Sequence, residues 1–157
     1  MAMSKIKEYL DNNKVHYTSI EHPERYTAQG TAQVTHIKGK EMAKTVIVDA
    51  DGRFYMVVLP AHFHVDLDGL KETLGATKVD LADEEKFTRR FPECEVGAMP
   101  PFGNLYGMDV YVQKELADDD EIAFNAGTHK EVIKIAYKDF ENLVHPNVCN
   151  VAVVQHT

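Results

Sequence analysis

Thr45-Val46-Ile47-Val48-Asp49-Ala50-Asp51-Gly52-Arg53-Phe54-Tyr55-Met56-Val57-Val58-Leu59-Pro60 is the stretch from which the fold is read. Two runs rich in β-branched and aromatic residues flank Asp51-Gly52, a pair suited to the positive φ angles of a tight turn. The spacing predicts a hairpin with strands over 45–50 and 54–60. Working outward, residues 4–12 predict a helix capped by Ser4, with Ile6, Tyr9 and Leu10 on one face. Val15 to Glu21 alternates as a strand that Pro23 ends. A helix is expected over 27–34, weakened by Gly30. Another is expected over 65–74, with Asp66 and Asp68 in its first turn and Gly75 as its stop. A third is expected over 83–91, capped by Asp83 and halted by Pro92. Segments 108–113, 121–125, 132–136 and 151–154 read as strands, and 137–143 as a short helix. No regular strand–helix–strand repeat appears. The pattern is that of an α+β chain: a mixed, mostly antiparallel, curled and barrel-like sheet with helices around it.

The 157 residues suit one domain over 1–157, with no linker, repeat or low-complexity tract to divide them. Hydrophobic residues make up 44% and charged residues 27%, which excludes wholesale disorder. The longest apolar runs, such as Met56 to Leu59, are far too short to span a bilayer. Residues 1–10 carry Lys5, Lys7 and Glu8 and lack the apolar centre of a secretion signal, so the expected compartment is the cytoplasm. Net charge is −8, unevenly spread: residues 1–60 carry +1 and residues 61–157 carry −9. DNA is not expected as a partner, because gripping a duplex needs clustered cations. A nucleic acid held at its end remains compatible with the basic cluster His36-Ile37-Lys38-Gly39-Lys40-Glu41-Met42-Ala43-Lys44, although from charge alone that stretch reads as a solvated loop followed by a strand.

Several chemistries fail on spacing. His62-x-His64 could offer two imidazoles to zinc, but no third ligand stands at a recognisable distance, and no metal or other cofactor is expected. The run Asp118-Asp119-Asp120-Glu121 lacks the spaced ligands and glycine of a calcium loop. Cys94 and Cys149 form no CxxC pair, and nothing around Cys94 marks a nucleophile. No Walker loop, GxGxxG or GxSxG motif occurs.

Three places stand out. Lys44 opens an apolar strand and shares a face with Val46 and Val48, which makes it either a partly desolvated cation or a strand-end lysine reaching for water. Gly97-Ala98-Met99-Pro100-Pro101-Phe102-Gly103 is a stiff loop able to present backbone groups to a small polar ligand, or a rigid structural turn. Asn125-Ala126-Gly127-Thr128-His129-Lys130 is a turn between two strands, with His129 placed to donate to a ligand or to satisfy the backbone.

Taken in order, Gly39-Lys40-Glu41-Met42-Ala43-Lys44-Thr45, the G-x-x-x-P loop Gly97 to Pro101, and Phe124-Asn125-Ala126-Gly127-Thr128-His129 resemble the YbaK/prolyl-tRNA-synthetase-associated editing domain family from about Val15 onward. The resemblance implies that family's fold and an aminoacyl-tRNA deacylase acting in trans, a translation-fidelity hydrolase. Its substrate would be a small amino acid such as alanine wrongly esterified to proline tRNA. The family's essential lysine falls on Lys44, and its loop on Gly97, Met99 and Pro101. The histidine of the alanine-editing branch falls on His129, next to Thr128. Met99 and the doubled proline depart from the family pattern and bear on the amino-acid pocket. Lys38 and Lys40 would hold the acceptor end of the tRNA, with a synthetase or elongation factor as a further partner. The competing class is a binding module of the same fold that holds a nucleotide or aminoacyl group without cleaving it.

Overall fold

The computed structural model describes residues 5–22, 40–87, 89, 91, 94, 98–128 and 130–154. Strands β2 (Ala43–Ala50) and β3 (Arg53–Pro60) form the expected hairpin in antiparallel register, Lys44 opposite Leu59 and Ala50 opposite Arg53. Asp51 at φ 53° and Gly52 at φ 90° both take the left-handed conformation that this two-residue turn demands. The hairpin is the middle of a five-stranded sheet in the order β5-β2-β3-β6-β9. Strand β5 (Val79–Leu81) pairs antiparallel with β2, while β6 (Asp109–Gln113) runs parallel to both β3 and β9 (Asn147–Cys149).

A second sheet holds β1 (Thr18–Glu21), β8 (Glu131–Ala136) and β7 (Glu121–Asn125), all antiparallel. A third pairs β4 (Phe63–Val65) with β10 (Ala152–Val154). The α+β class and the mostly antiparallel pairing therefore hold. The curled, barrel-like sheet is corrected to three sheets with no closed barrel among the described residues. One isolated parallel bridge, Met42 to Ala123, joins the first two sheets.

Alternation along the hairpin explains why its strands are apolar at nearly every position: both faces are covered. Ala43, Ile47, Met56 and Val58 face the main core, with Ile122 and Phe124 of β7, Ile133 and Ile135 of β8, and Ile6 and Leu10 of helix α1 (Lys5–Asn12). Val48, Val57 and Leu59 face a second core with Phe63, Val151 and Leu70 of helix α2 (Leu67–Leu74). Helix α2 begins two residues later than the expected 65–74, because Asp66 is its cap rather than part of its first turn: the Asp66 carboxylate accepts from the Gly69 N–H at 3.1 Å, and Gly75 ends the helix, as expected, at φ 64°.

Of the helix expected over 83–91, one turn is described as helix α3 (Glu84–Phe87), and 88 and 90 lie outside the described residues. Helix α4 (Lys114–Ala117) follows β6, and helix α5 (Tyr137–Val144) lays Tyr137 and Phe140 on the main core. The helix expected over 27–34 lies outside the described residues. No helix among the described residues is long and apolar enough to cross a membrane.

Candidate active site

Lys44 lies second in β2, one residue further into the strand than expected, on the face it shares with Val46 and Val48. It is half-buried, and burial pushes its ammonium below the ordinary lysine range. Among the described residues no carboxylate pairs with it. A cation partly stripped of water and left without a counter-ion costs free energy unless something else completes it.

The bridge between Met42 and Ala123 sets what lies beside Lys44. The Ala123 N–H donates to the Glu41 carbonyl at 2.9 Å, and from there β2 and β7 run in the same direction. Two residues on from the bridge stand Lys44 in one strand and Asn125 in the other. With side chains alternating, both share the face of Met42 and Ala123. That face carries a small apolar cluster of Met42, Ala61, Ala123 and Val132, and Lys44 and Asn125 lie beside it, Asn125 directly opposite Val132.

Asn125 is 8% exposed, and its Oδ1 finds no donor among the described residues. From the sequence it reads only as a turn former. No signal in the sequence distinguishes a turn asparagine from an asparagine with an orphaned acceptor, because the difference lies in the neighbours.

The Pro-Pro loop meets the same end of β7. The Gly127 N–H donates to the Ala98 carbonyl at 2.9 Å, tying the turn after β7 to the loop. Phe102 anchors that loop: it is fully buried, with ring centroids 5.9 Å from Tyr9, 5.4 Å from Phe124 and 5.5 Å from Phe140. Gly103 follows because nothing larger fits. A Cβ there would lie 2.6 Å from Val110 Cγ2 and 2.7 Å from the Met108 carbonyl oxygen. Gly127 at φ 93° supplies the left-handed residue of the turn. The Pro-Pro loop and the β7 turn are therefore joined directly, and the Lys44 strand lies alongside β7 through the Met42–Ala123 bridge.

Individual members differ. Pro101 is buried with the loop, and Met99 is 5% exposed within the main core. The Thr128 hydroxyl accepts from the Lys130 N–H at 3.2 Å and so shapes the turn. Lys40 is exposed, 3.9 Å from Asp119 Oδ1, and burial of that carboxyl raises its pKa. Lys38, Gly97 and His129 lie outside the described residues.

A cavity of about 50 Å³ opens on the main-core side of the loop, lined by Ile6, Cys94, Pro100, Tyr106, Ala126 and Gly127 among others. His62 and His64 do not converge on a third ligand: His62 packs edge-on to Phe63 at 4.7 Å, and His64 is exposed. Among the described residues no group of three or more His, Cys, Asp or Glu is placed to hold a metal ion.

The chain is 28% identical over 144 residues to the prolyl-tRNA editing protein ProX of Acetoanaerobium sticklandii, covering 88% of this chain and 87% of that protein. It is 30% identical over 81 residues to a proline–tRNA ligase of Geobacillus thermodenitrificans, covering 52% of this chain but 14% of the ligase. The fold superimposes on the crystal structure of a hypothetical protein, APE2540, with TM-score 0.84 at 19% identity, covering 95% of this chain and 99% of that one. It superimposes also on a candidate trans-editing enzyme for prolyl tRNA synthetase, with TM-score 0.83 at 18% identity, covering 97% and 99%. Residues 22–143 match the model of the aminoacyl-tRNA editing domain, and the chain belongs to that family.

Proposed function

We propose that this chain hydrolyses the ester of a mischarged tRNA in trans, releasing a small amino acid such as alanine from proline tRNA. The family supports deacylation, and the relative from Acetoanaerobium supports prolyl-tRNA as the nucleic acid. The observation that carries the reading is Lys44, a half-buried lysine without a carboxylate partner among the described residues, beside strand β7, whose following turn is hydrogen-bonded to the Pro-Pro loop.

The chemistry asks little of side chains. Water attacks the ester carbonyl carbon, the bond to the ribose oxygen breaks, and the products are a free amino acid and a tRNA ending in a hydroxyl. An aminoacyl ester is already labile, so positioning and oxyanion stabilisation suffice. Lys44 supplies the cation for the carbonyl oxygen or the terminal phosphate. The backbone of Gly97 to Pro101 orients the aminoacyl group and the water, and His129 and Thr128 border the substrate. Lys38 and Lys40 contact phosphates of the acceptor end. No side-chain nucleophile is needed, and a ribose hydroxyl next to the ester is available to assist the water. Proofreading of this kind answers a limit of recognition: one methylene in a pocket is worth only about 1–3 kcal/mol.

The test is a panel of labelled mischarged tRNAs incubated with the protein, with free amino acid measured. Release of alanine from proline tRNA well above the spontaneous rate is expected. Tight binding with no release from any member would replace the deacylase with a binding module.

A further inference from the structure

Asn125 is the unexplained polar group of the site. Its side chain is more than nine-tenths buried, and its Oδ1 lacks a donor among the described residues. A buried acceptor left unpaired is destabilising, and native structures tolerate few of them. The cost is removed if a ligand brings the donor. The ligand is constrained by register: Asn125 and Lys44 each stand two residues past the Met42–Ala123 bridge, on one face, beside the apolar cluster of Met42, Ala61, Ala123 and Val132. One group there offers a positive donor and the other offers an acceptor.

An aminoacyl ester matches that pair. Its carbonyl oxygen accepts and its α-ammonium donates, and only the carbonyl carbon and Cα lie between them. Resting on the deacylase reading above, we infer that Asn125 Oδ1 accepts a hydrogen bond from the α-ammonium of the aminoacyl group while Lys44 faces the ester carbonyl. An amide serves this position better than a carboxylate would. Asp or Glu here would pair with Lys44 and cancel the cation that the carbonyl needs. The α-ammonium is present on every aminoacyl ester, so Asn125 identifies the substrate as an amino acid and leaves the choice of side chain to other residues.

The inference is tested with two non-hydrolysable probes, adenosines carrying at a 3′-nitrogen an amide-linked L-alanyl or L-lactyl group. They differ only in an α-ammonium against an α-hydroxyl. Titrated into the full chain at pH 6.5, where the α-amine is charged, the alanyl probe should bind roughly 10–100-fold tighter than the lactyl probe. Asn125→Ala should bind the two about equally, with Tm unchanged or raised, since the orphaned acceptor is gone. If Asn125→Ala does not fold, the near-isosteric Asn125→Leu, which lacks the acceptor, should bind the two probes about equally. A folded Asn125→Ala or Asn125→Leu protein that still prefers the alanyl probe, or a wild type that binds neither probe or both alike, overturns the assignment. Turnover of alanyl-tRNA separates the two claims. A wild-type preference that Asn125→Ala abolishes, without ester hydrolysis, upholds Asn125 and removes the deacylase.

Discussion

The two ends of the β2–β3 hairpin treat their polar groups differently. At the turn, the Asp51 carboxylate accepts from the N–H groups of Thr77 and Lys78, each at 2.9 Å, and Asp49 accepts from the Gly52 N–H at 2.8 Å. Those hydrogen bonds hold the Asp51 carboxyl below the usual carboxylate range. At the open end, Lys44 is half-buried with no carboxylate partner and Asn125 holds an unpaired acceptor, both among the described residues. The turn is completed by its own chain. On the proposed reading the substrate completes the open end, and the contrast is between an end that holds the fold and an end that serves function.

Removing the cation from the open end is expected to have the largest effect. Lys44→Ala should slow deacylation of the mischarged tRNA by about 10²–10³-fold. Lys44→Arg should also be impaired, since a planar guanidinium does not fill the place of a compact ammonium. Stability should move the other way. The unfolded chain binds the Lys44 proton more tightly than the folded one, so wild-type stability gains from this site as pH rises from the lowered folded pKa toward the ordinary lysine range. The rate, which needs the ammonium, should fall over the same interval. Lys44→Met should flatten that part of the stability profile. Single-turnover rates and thermal melts across alkaline pH check both, and a folded Lys44→Ala protein with full activity would sink the mechanism.

Period-two alternation makes the place of Lys44 on an apolar face legible in the sequence, though only the family resemblance gives it a role, and the Asp51-Gly52 hairpin is legible because its turn chemistry is local. Asn125 was not, since an orphaned acceptor is defined by neighbours from other strands. The three-residue strands Phe63–Val65, Val79–Leu81 and Asn147–Cys149 are too short to show alternation, and pairing with long-range partners alone makes them strands. The doubled proline was legible as stiffness, but its anchor, the Phe102 ring among three aromatics, depends on tertiary packing. Met99 in that loop gives the next largest effect. It is nearly fully buried in the main core, so Met99→Ala should cost about 2–5 kcal/mol of stability. It should also broaden hydrolysis toward larger aminoacyl groups, since space is opened behind the loop. If denaturant melts show the loss while the ratio of rates for small and large esters stays fixed, Met99 is packing alone.

At the turn the prediction reverses in kind. Asp51→Asn keeps a residue that tolerates positive φ but removes the charge that the Thr77 and Lys78 amides bind. Because the folded carboxyl has the lower pKa, its stabilisation is present above the unfolded carboxylate pKa and is lost as pH falls through the folded value. The variant should melt below wild type at neutral pH and converge with it in acid, at unchanged deacylation rate. A change in rate at neutral pH would mean that the two ends are coupled.

The smallest effect is expected at Lys40, just before the open end. Its side chain is exposed, and Asp119 Oδ1 at 3.9 Å already offsets part of its field. An exposed pair at that distance is worth little to the fold, so Lys40→Ala should leave the melting temperature nearly unchanged. If Lys40 contacts a phosphate of the acceptor end, its loss should lower the slope of log K against log salt by at most about 0.7, the value for one single-stranded phosphate contact. Asp119→Asn tests the same contact from the opposite side. Removing the competing carboxylate leaves Lys40 freer for the phosphate, so tRNA should bind more tightly, and most clearly at low salt. Binding measured across a salt series for both variants decides the matter. Unchanged slopes and affinities in both would place the tRNA on another face and leave the open end to the aminoacyl group alone.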